Sequence, residues 1–296
     1  MRRLATALLL MMPLAGGAAA DRAIVWQGAA IALVTEGEAL AVSEAEIEAW
    51  VRKSAEAIGV YFGRFPTTRL RLVVNGVAGG GVKGGSTEPT DPVTISISLG
   101  SASRLDQLLA EDWVMVHEMI HGGLPWLPMN RSWFHEGVAV YVESIARVQA
   151  GHLSQERALR DFLRQMPHGV GGAGGFDGRR DWAKTYWGGA LFCLLADIDI
   201  RRRTSNRKGL RDALRAISAL GPYGTRGTFD EVLAAGDRAT GTTVLRDLYT
   251  ATAGAPIDID LEGLWARLGV SLSGERVVLD DGAPDAAIRN AIFSAP

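Results

Sequence analysis

Two histidines, His117 and His121, bracket an acid in His117-Glu118-Met119-Ile120-His121. On a helix, residues i and i+4 project from one face, so both imidazoles can reach a single ion. Glu118, one position on from His117, is turned about 100° away. It can act on a water beside the ion rather than bind the ion, which is where a general base belongs. Two histidines leave zinc short of its usual three protein ligands. The next candidates are His135 and Glu136 in Trp133-Phe134-His135-Glu136-Gly137-Val138-Ala139. As helix neighbours, only one of them can face the ion. Glu136 shares a face with Val140, Glu143 and Arg147, and His135 with Ala139 and Val142; spacing does not choose between them. No Gly-x-x-His follows His121, so the other common third-ligand position is missing.

These residues need helices to hold them, and the hydrophobic period supplies them. Residues 105–121 read as one helix stopped by Gly122-Gly123 and Pro125. Residues 132–149 read as a second and residues 155–166 as a third. Residues 167–178 hold six glycines and read as a loop. Residues 182–203, 210–220, 229–235 and 244–250 read as further helices. Upstream, Ser43 caps a helical pattern through Ile47, Trp50, Val51, Ala55 and Ile58, ending near Gly59 or Gly63. Residues 70–74 form a strand, and residues 93–99 alternate apolar with polar, the mark of a strand with one wet face. The glycine-rich stretch at residues 79–86 between them reads as a loop. Residues 21–42 are only weakly strand-like. The fold class is α+β: a small N-terminal α/β lobe with a mixed sheet, then a mostly helical C-terminal lobe. Its divisions are residues 21–123, ending in the histidine-bearing helix, and residues 124–296.

The chain has 296 residues, 47% hydrophobic and 22% charged, which is the composition of a folded protein. Its 31 Lys+Arg against 33 Asp+Glu give a net charge of -2, against the basic surplus of a dedicated nucleic-acid binder. The single cysteine, Cys193, excludes an intramolecular disulfide and a multi-cysteine zinc site, and its apolar neighbours predict burial. Met1-Arg2-Arg3, an apolar run over residues 4–14 and Ala18-Ala19-Ala20 before Asp21 read as a cleaved export signal over residues 1–20. The run is shorter than the ~20 residues needed to span a bilayer. No later segment is apolar enough, so no stable membrane insertion is expected after cleavage. The expected location is periplasmic or secreted.

The histidine motif followed by Trp133-Phe134-His135-Glu136-Gly137-Val138-Ala139 resembles the gluzincin zinc peptidases. There a second helix opens Trp-x-x-Glu-Gly-x-Ala, and its glutamate is the third zinc ligand. The resemblance implies a thermolysin-like zincin catalytic unit with one zinc per chain on His117, His121 and Glu136, and Glu118 as general base. Residues 186–204 and 210–214 look like the C-terminal helices of glycyl-aminopeptidase-like members, so that the similarity covers residues 45–268. By that resemblance Tyr186 supports the oxyanion. Gly189 and Ala190 share its helical face, and their lack of bulk leaves room for substrate or a partner helix. Glu143 is assigned a hydrogen bond to a zinc-binding histidine; His152 and His168 are surface residues.

Two departures bear on specificity. Fourteen residues separate His121 from Glu136, a tighter link than related aminopeptidases have. The glycine-rich segment, which in relatives carries a glutamate for the substrate's amino terminus, here reads Gly81-Val82-Lys83-Gly84. Gly81 and Lys83 are therefore candidate substrate contacts, and a lysine there would repel an α-ammonium group. Residues 93–99 could pair with an extended peptide by edge addition. The expected function is an exported zinc metallopeptidase acting on peptide or protein substrates, not a strict aminopeptidase. A non-catalytic binding protein with structural or vestigial zinc is the rival, against which an intact Glu118 speaks.

Overall fold

The alternation around residue 95 becomes β5 (Val93–Gly100), with Val93, Ile95, Ile97 and Leu99 all buried. The computed structural model describes residues 22–111, 113–171, 174–178 and 181–295, without the side chains of Arg22 and Glu111. The expected signal over residues 1–20 lies outside the described residues. β5 belongs to a five-stranded mixed sheet with β1 (Arg22–Trp26), β2 (Ala29–Gly37), β3 (Arg69–Val77) and β4 (Val82–Glu88). The order is β1-β2-β3-β5-β4. Strands β2, β3 and β5 run parallel, with β1 and β4 antiparallel to their neighbours.

Parallel neighbours need a crossover, and α1 (Glu44–Phe62) provides it between β2 and β3. Ser43 caps it as expected. Its hydroxyl accepts from the Glu46 N–H, and the Glu46 carboxylate accepts from the Ser43 N–H at 2.8 Å.

The glycine-rich stretch is not the expected loop. Most of it is β4, paired to β5 with a bulge between Val82 and Gly84. An edge strand exposed on much of both faces carries no alternation to read. Because β4 occupies the edge, β5 lies inside the sheet, and edge addition to β5 is ruled out.

Residues 105–121 form two helices rather than one, α2 (Leu105–Glu111) and α3 (Val114–Gly122), and all nine residues of α3 are buried. Next come α4 (Ser132–Gln149) and α5 (Gln155–Gln165), close to the predicted bounds. The predicted helix from residue 182 instead opens as a π-helical turn, Lys184–Gly188, before α6 (Gly189–Thr204). The chain continues through α7 (Leu210–Ser218), α8 (Phe229–Thr240), α9 (Val244–Thr252) and α10 (Leu261–Leu268). A hairpin, β6 (Val270–Ser273) and β7 (Arg276–Leu279), then leads to α11 (Ala286–Phe293).

A buried apolar cluster extends from the sheet to α11. Within it, the Asp197 carboxylate accepts from Tyr141 Oη at 3.0 Å, Arg201 Nε at 2.8 Å and the Leu210 N–H at 2.9 Å. That satisfied charge ties α4, α6 and α7 together. Cys193 is buried and free, and burial with the Asp197 charge pushes its thiol up. Among the described residues, no helix is long and apolar enough to cross a membrane.

Candidate metal centre

The chain between α3 and α4 reverses through Pro125 and Pro128, bringing the two helices together. His117 Nε2 and His121 Nε2 are 3.2 Å apart; Glu136 Oε2 lies 3.2 Å from the first and 3.5 Å from the second. Among the described residues these form the one group of three metal-ligating side chains. Each imidazole has one hydrogen at most on Nε2 when neutral, so hydrogen bonds cannot satisfy this triangle fully. The opposite atoms, His117 Nδ1 and His121 Nδ1, are buried without a partner. Zinc ligands at tetrahedral angles lie about 3.3 Å apart, given bonds near 2.0–2.1 Å. The donor set and its spacing fit zinc.

Burial would raise the Glu136 carboxyl, but hydrogen bonds from His117 and His121 outweigh it and hold the carboxyl well below its ordinary range. Burial opposes a charge on His121, yet the Glu136 contact and the Glu118 charge raise it overall. His135 stands apart from the triangle, its ring 6.0 Å from that of His121. Burial, then the His121 charge, lowers it to about 3, so it stays neutral.

Glu118 faces the edge strand. The Thr87 hydroxyl donates to Glu118 Oε2 at 2.7 Å, with the Glu118 carbonyl oxygen at 3.0 Å. Gly85, two residues earlier on the same face of β4, permits the approach. A Cβ there would meet Glu118 Cγ at 2.7 Å, and Ile97 Cδ1 and Val114 Cγ1 at 2.9 Å. Thr87 was not singled out by sequence reasoning; once β4 is a strand, its parity with Gly85 puts it at the site.

Tyr186 sits in the π-helical turn, its ring stacked on His117 at 6.2 Å and on Trp182 at 4.8 Å. Burial, with the Glu136 and then the Glu118 charges, pushes its hydroxyl up. The turn is docked by Gly189, whose added Cβ would meet the Trp133 carbonyl oxygen at 2.1 Å and Gly137 Cα at 2.7 Å. The space that Gly189 leaves is filled by the partner helix α4. A second phenol, Tyr223, is also missing from the sequence reading. Its ring lies 6.3 Å from that of His121 and 5.2 Å from that of His135. Its N–H donates to the Gly122 carbonyl oxygen at 3.2 Å, anchoring this loop to the end of α3.

Other expected contacts are not made. Lys83 falls in the β4 bulge, exposed, and its Nζ lies 3.6 Å from where a Cβ on Gly79 would be. The residues of β4 that reach the site are Gly85 and Thr87, so repulsion of an α-ammonium group by Lys83 loses its basis. Gly81 spends its N–H on Ser103 Oγ at 2.9 Å and its carbonyl on the Gly100 N–H at 2.9 Å, leaving neither for a substrate. Glu143 does not bond a histidine. Its carboxylate accepts from Ser144 Oγ at 2.7 Å and from Arg147 Nη1 at 3.2 Å, the partners its position on α4 brings nearest. Arg131, just before α4, is paired with Asp177. His168 is exposed, whereas His152 is partly buried against Glu56 at 3.1 Å.

No family model matches the chain, and no curated protein matches it in sequence. Solved structures do match it in fold. An aminopeptidase N family protein from Idiomarina loihiensis matches with a TM-score of 0.62 and 17% identity, over 86% of this chain and 50% of that one. An M1 zinc metallopeptidase from Deinococcus radiodurans matches with a TM-score of 0.52 and 13% identity, over 80% of this chain and 51% of that one. A variant of the latter bound to a Tyr-Ser-Ala substrate matches with a TM-score of 0.53. The chain spans about half the length of these structures. With its mixed sheet and mostly helical second part, the chain shares the fold of these M1 zinc metallopeptidase structures.

Proposed function

We propose that the chain is a zinc-dependent peptidase acting on peptide or protein substrates, with one zinc per chain. The observation that carries the reading is the triangle of His117 Nε2, His121 Nε2 and Glu136 Oε2 beside the Thr87-held carboxylate of Glu118. Zinc held there would supply a Lewis acid that polarises a substrate carbonyl and makes water a better nucleophile at neutral pH.

His117 and His121 would hold it through Nε2, with their protons on the buried Nδ1 atoms, and Glu136 through Oε2. Thr87 fixes Glu118 Oε2, leaving Oε1 to take a proton from the attacking water and pass it to the leaving amine nitrogen. The Tyr186 hydroxyl, kept protonated by burial and by Glu136, donates to the carbonyl oxygen as negative charge develops there.

Glu118→Gln should retain zinc while losing peptide hydrolysis by a factor on the order of 10²–10⁴. Undiminished turnover in that variant overturns the assignment. A zinc-loaded parent that cleaves nothing in a broad peptide library favours a binding role. Export belongs to the same proposal, on the basic, apolar and Ala-x-Ala pattern of residues 1–20. The mature chain should begin at Asp21 on amino-terminal sequencing; a retained Met1 would refute it.

A further inference from the structure

We infer that the aromatic cavity beside His117 is a subsite for a cationic side chain, so that the favoured peptides carry arginine or lysine near the cleaved bond. The inference rests on the peptidase reading for its place in catalysis. The cavity encloses about 320 Å³ and opens directly off His117. Its walls are aromatic and continuous with that ligand: Trp113 lies edge-on to His117 at 5.7 Å, Tyr186 stacks on His117, and Trp182 stacks on Tyr186. Trp113 and Trp182 are 48% and 66% exposed, the two exposed tryptophans among the described residues, and both line this cavity. Indole faces left open at one site are a surface suited to a ligand.

The charge of the lining chooses the ligand. Two carboxylates, Glu143 and Asp161, line the cavity, and among the described residues no lysine or arginine does. Glu143 is already engaged by Arg147 and Ser144. Asp161, exposed on α5, has no ion pair among the described residues, and Arg164 on the same helix is held by Glu275. A long cationic side chain can lay its stem against Val140 and Trp187, pass its head over the indole faces and reach Asp161. A neutral side chain of the same length gains neither the ring attraction nor the carboxylate, and an acidic one meets like charge.

The test uses three pentapeptide amides, Ala-Ala-Arg-Ala-Ala and its citrulline and leucine counterparts, whose amino termini are identical. Binding is followed by tryptophan fluorescence on zinc-loaded Glu118→Gln protein, so no ligand is consumed. The arginine peptide should bind about tenfold tighter than either counterpart. Adding Asp161→Asn should cut that preference to about threefold. Equal affinity for arginine and citrulline, tighter binding of leucine, or a preference unmoved by Asp161→Asn overturns the inference. Cleavage of the same peptides by the parent separates the two readings. Arginine preference in binding without hydrolysis sinks the peptidase reading alone; hydrolysis without that preference sinks the subsite alone.

Discussion

Gly137→Ala tests how tightly the proposed oxyanion donor is tied to the third ligand. Helices α4 and α6 cross with their backbones in contact, so that a Cβ on Gly137 would lie 2.3 Å from Gly189 Cα and 2.2 Å from its carbonyl carbon. Ordinary contact begins at 3.4 Å, and backbone atoms cannot rotate aside, so the helices must part by roughly 1 Å. Overpacking of this kind costs about 3 kcal/mol, offset by about 1 kcal/mol from the better helix propensity of alanine. A net loss of about 2 kcal/mol lowers Tm by roughly 3 °C in a chain of this size. The same crossing lies one residue from Glu136 and three from Tyr186, so a shift of about 1 Å should cost about 10²-fold in kcat/KM. Thermal unfolding, zinc content and peptide hydrolysis are measured together. Zinc stays near one per chain while stability and turnover fall. Gly254→Ala, where a Cβ meets nothing within 4 Å, serves as the control. A Gly137→Ala protein that melts with the parent and turns over at full rate refutes the account of how Tyr186 is placed.

Thr87→Val removes the bond to Glu118 Oε2 and should lower kcat about tenfold with KM unchanged; an unaltered kcat denies Thr87 its orienting role. Glu136→Gln should drop metal content below one per chain after dialysis against a chelator that leaves the parent loaded, and metal analysis showing full retention removes Glu136 from the ligand set. Tyr186→Phe should cost about 10²–10³-fold in kcat. Because burial raises the Tyr186 hydroxyl, its neutral, donating form persists above the ordinary tyrosine range. The ratio of parent to Tyr186→Phe activity should then hold steady up to about pH 10, and a ratio that collapses toward one by pH 9 contradicts the donor role.

What could be read from the residues alone was whatever repeats with a period. The capping of α1 by Ser43, the alternation of β5 and the bounds of α4 all leave a periodic or local chemical trace, and the structure shows each of them. So does the pairing of His117 with His121, which needs only one helical turn. The choice of Glu136 over His135 carries no such trace; it depends on how α4 is rotated against α3, a matter of tertiary packing. β4 was illegible because an edge strand of Gly84, Gly85, Ser86 and Thr87 buries too little to alternate, and with it Thr87 was lost. The π-helical turn was illegible for a different reason. One extra residue in a turn leaves the apolar pattern of α6 intact while rotating Tyr186 relative to it. Tyr223 arrives from a loop a hundred residues downstream of α3, and only the Gly122 carbonyl bond shows why it is there.

The position of β4 at the rim of the sheet has a bearing on self-association. A strand with an unpaired outer row of N–H and C=O groups is a template for any extended chain, including another copy of the same protein. The bulge at Lys83 interrupts that row and leaves a cation standing in it, and Glu88 with Pro89 closes its far end with a charge and a residue that has no N–H to donate. These features oppose the stacking of the strand that supports Glu118 on a second copy of itself. Straightening the bulge by deleting Lys83 would lengthen the uninterrupted edge and should show as concentration-dependent self-association in light scattering before any change in the melting temperature.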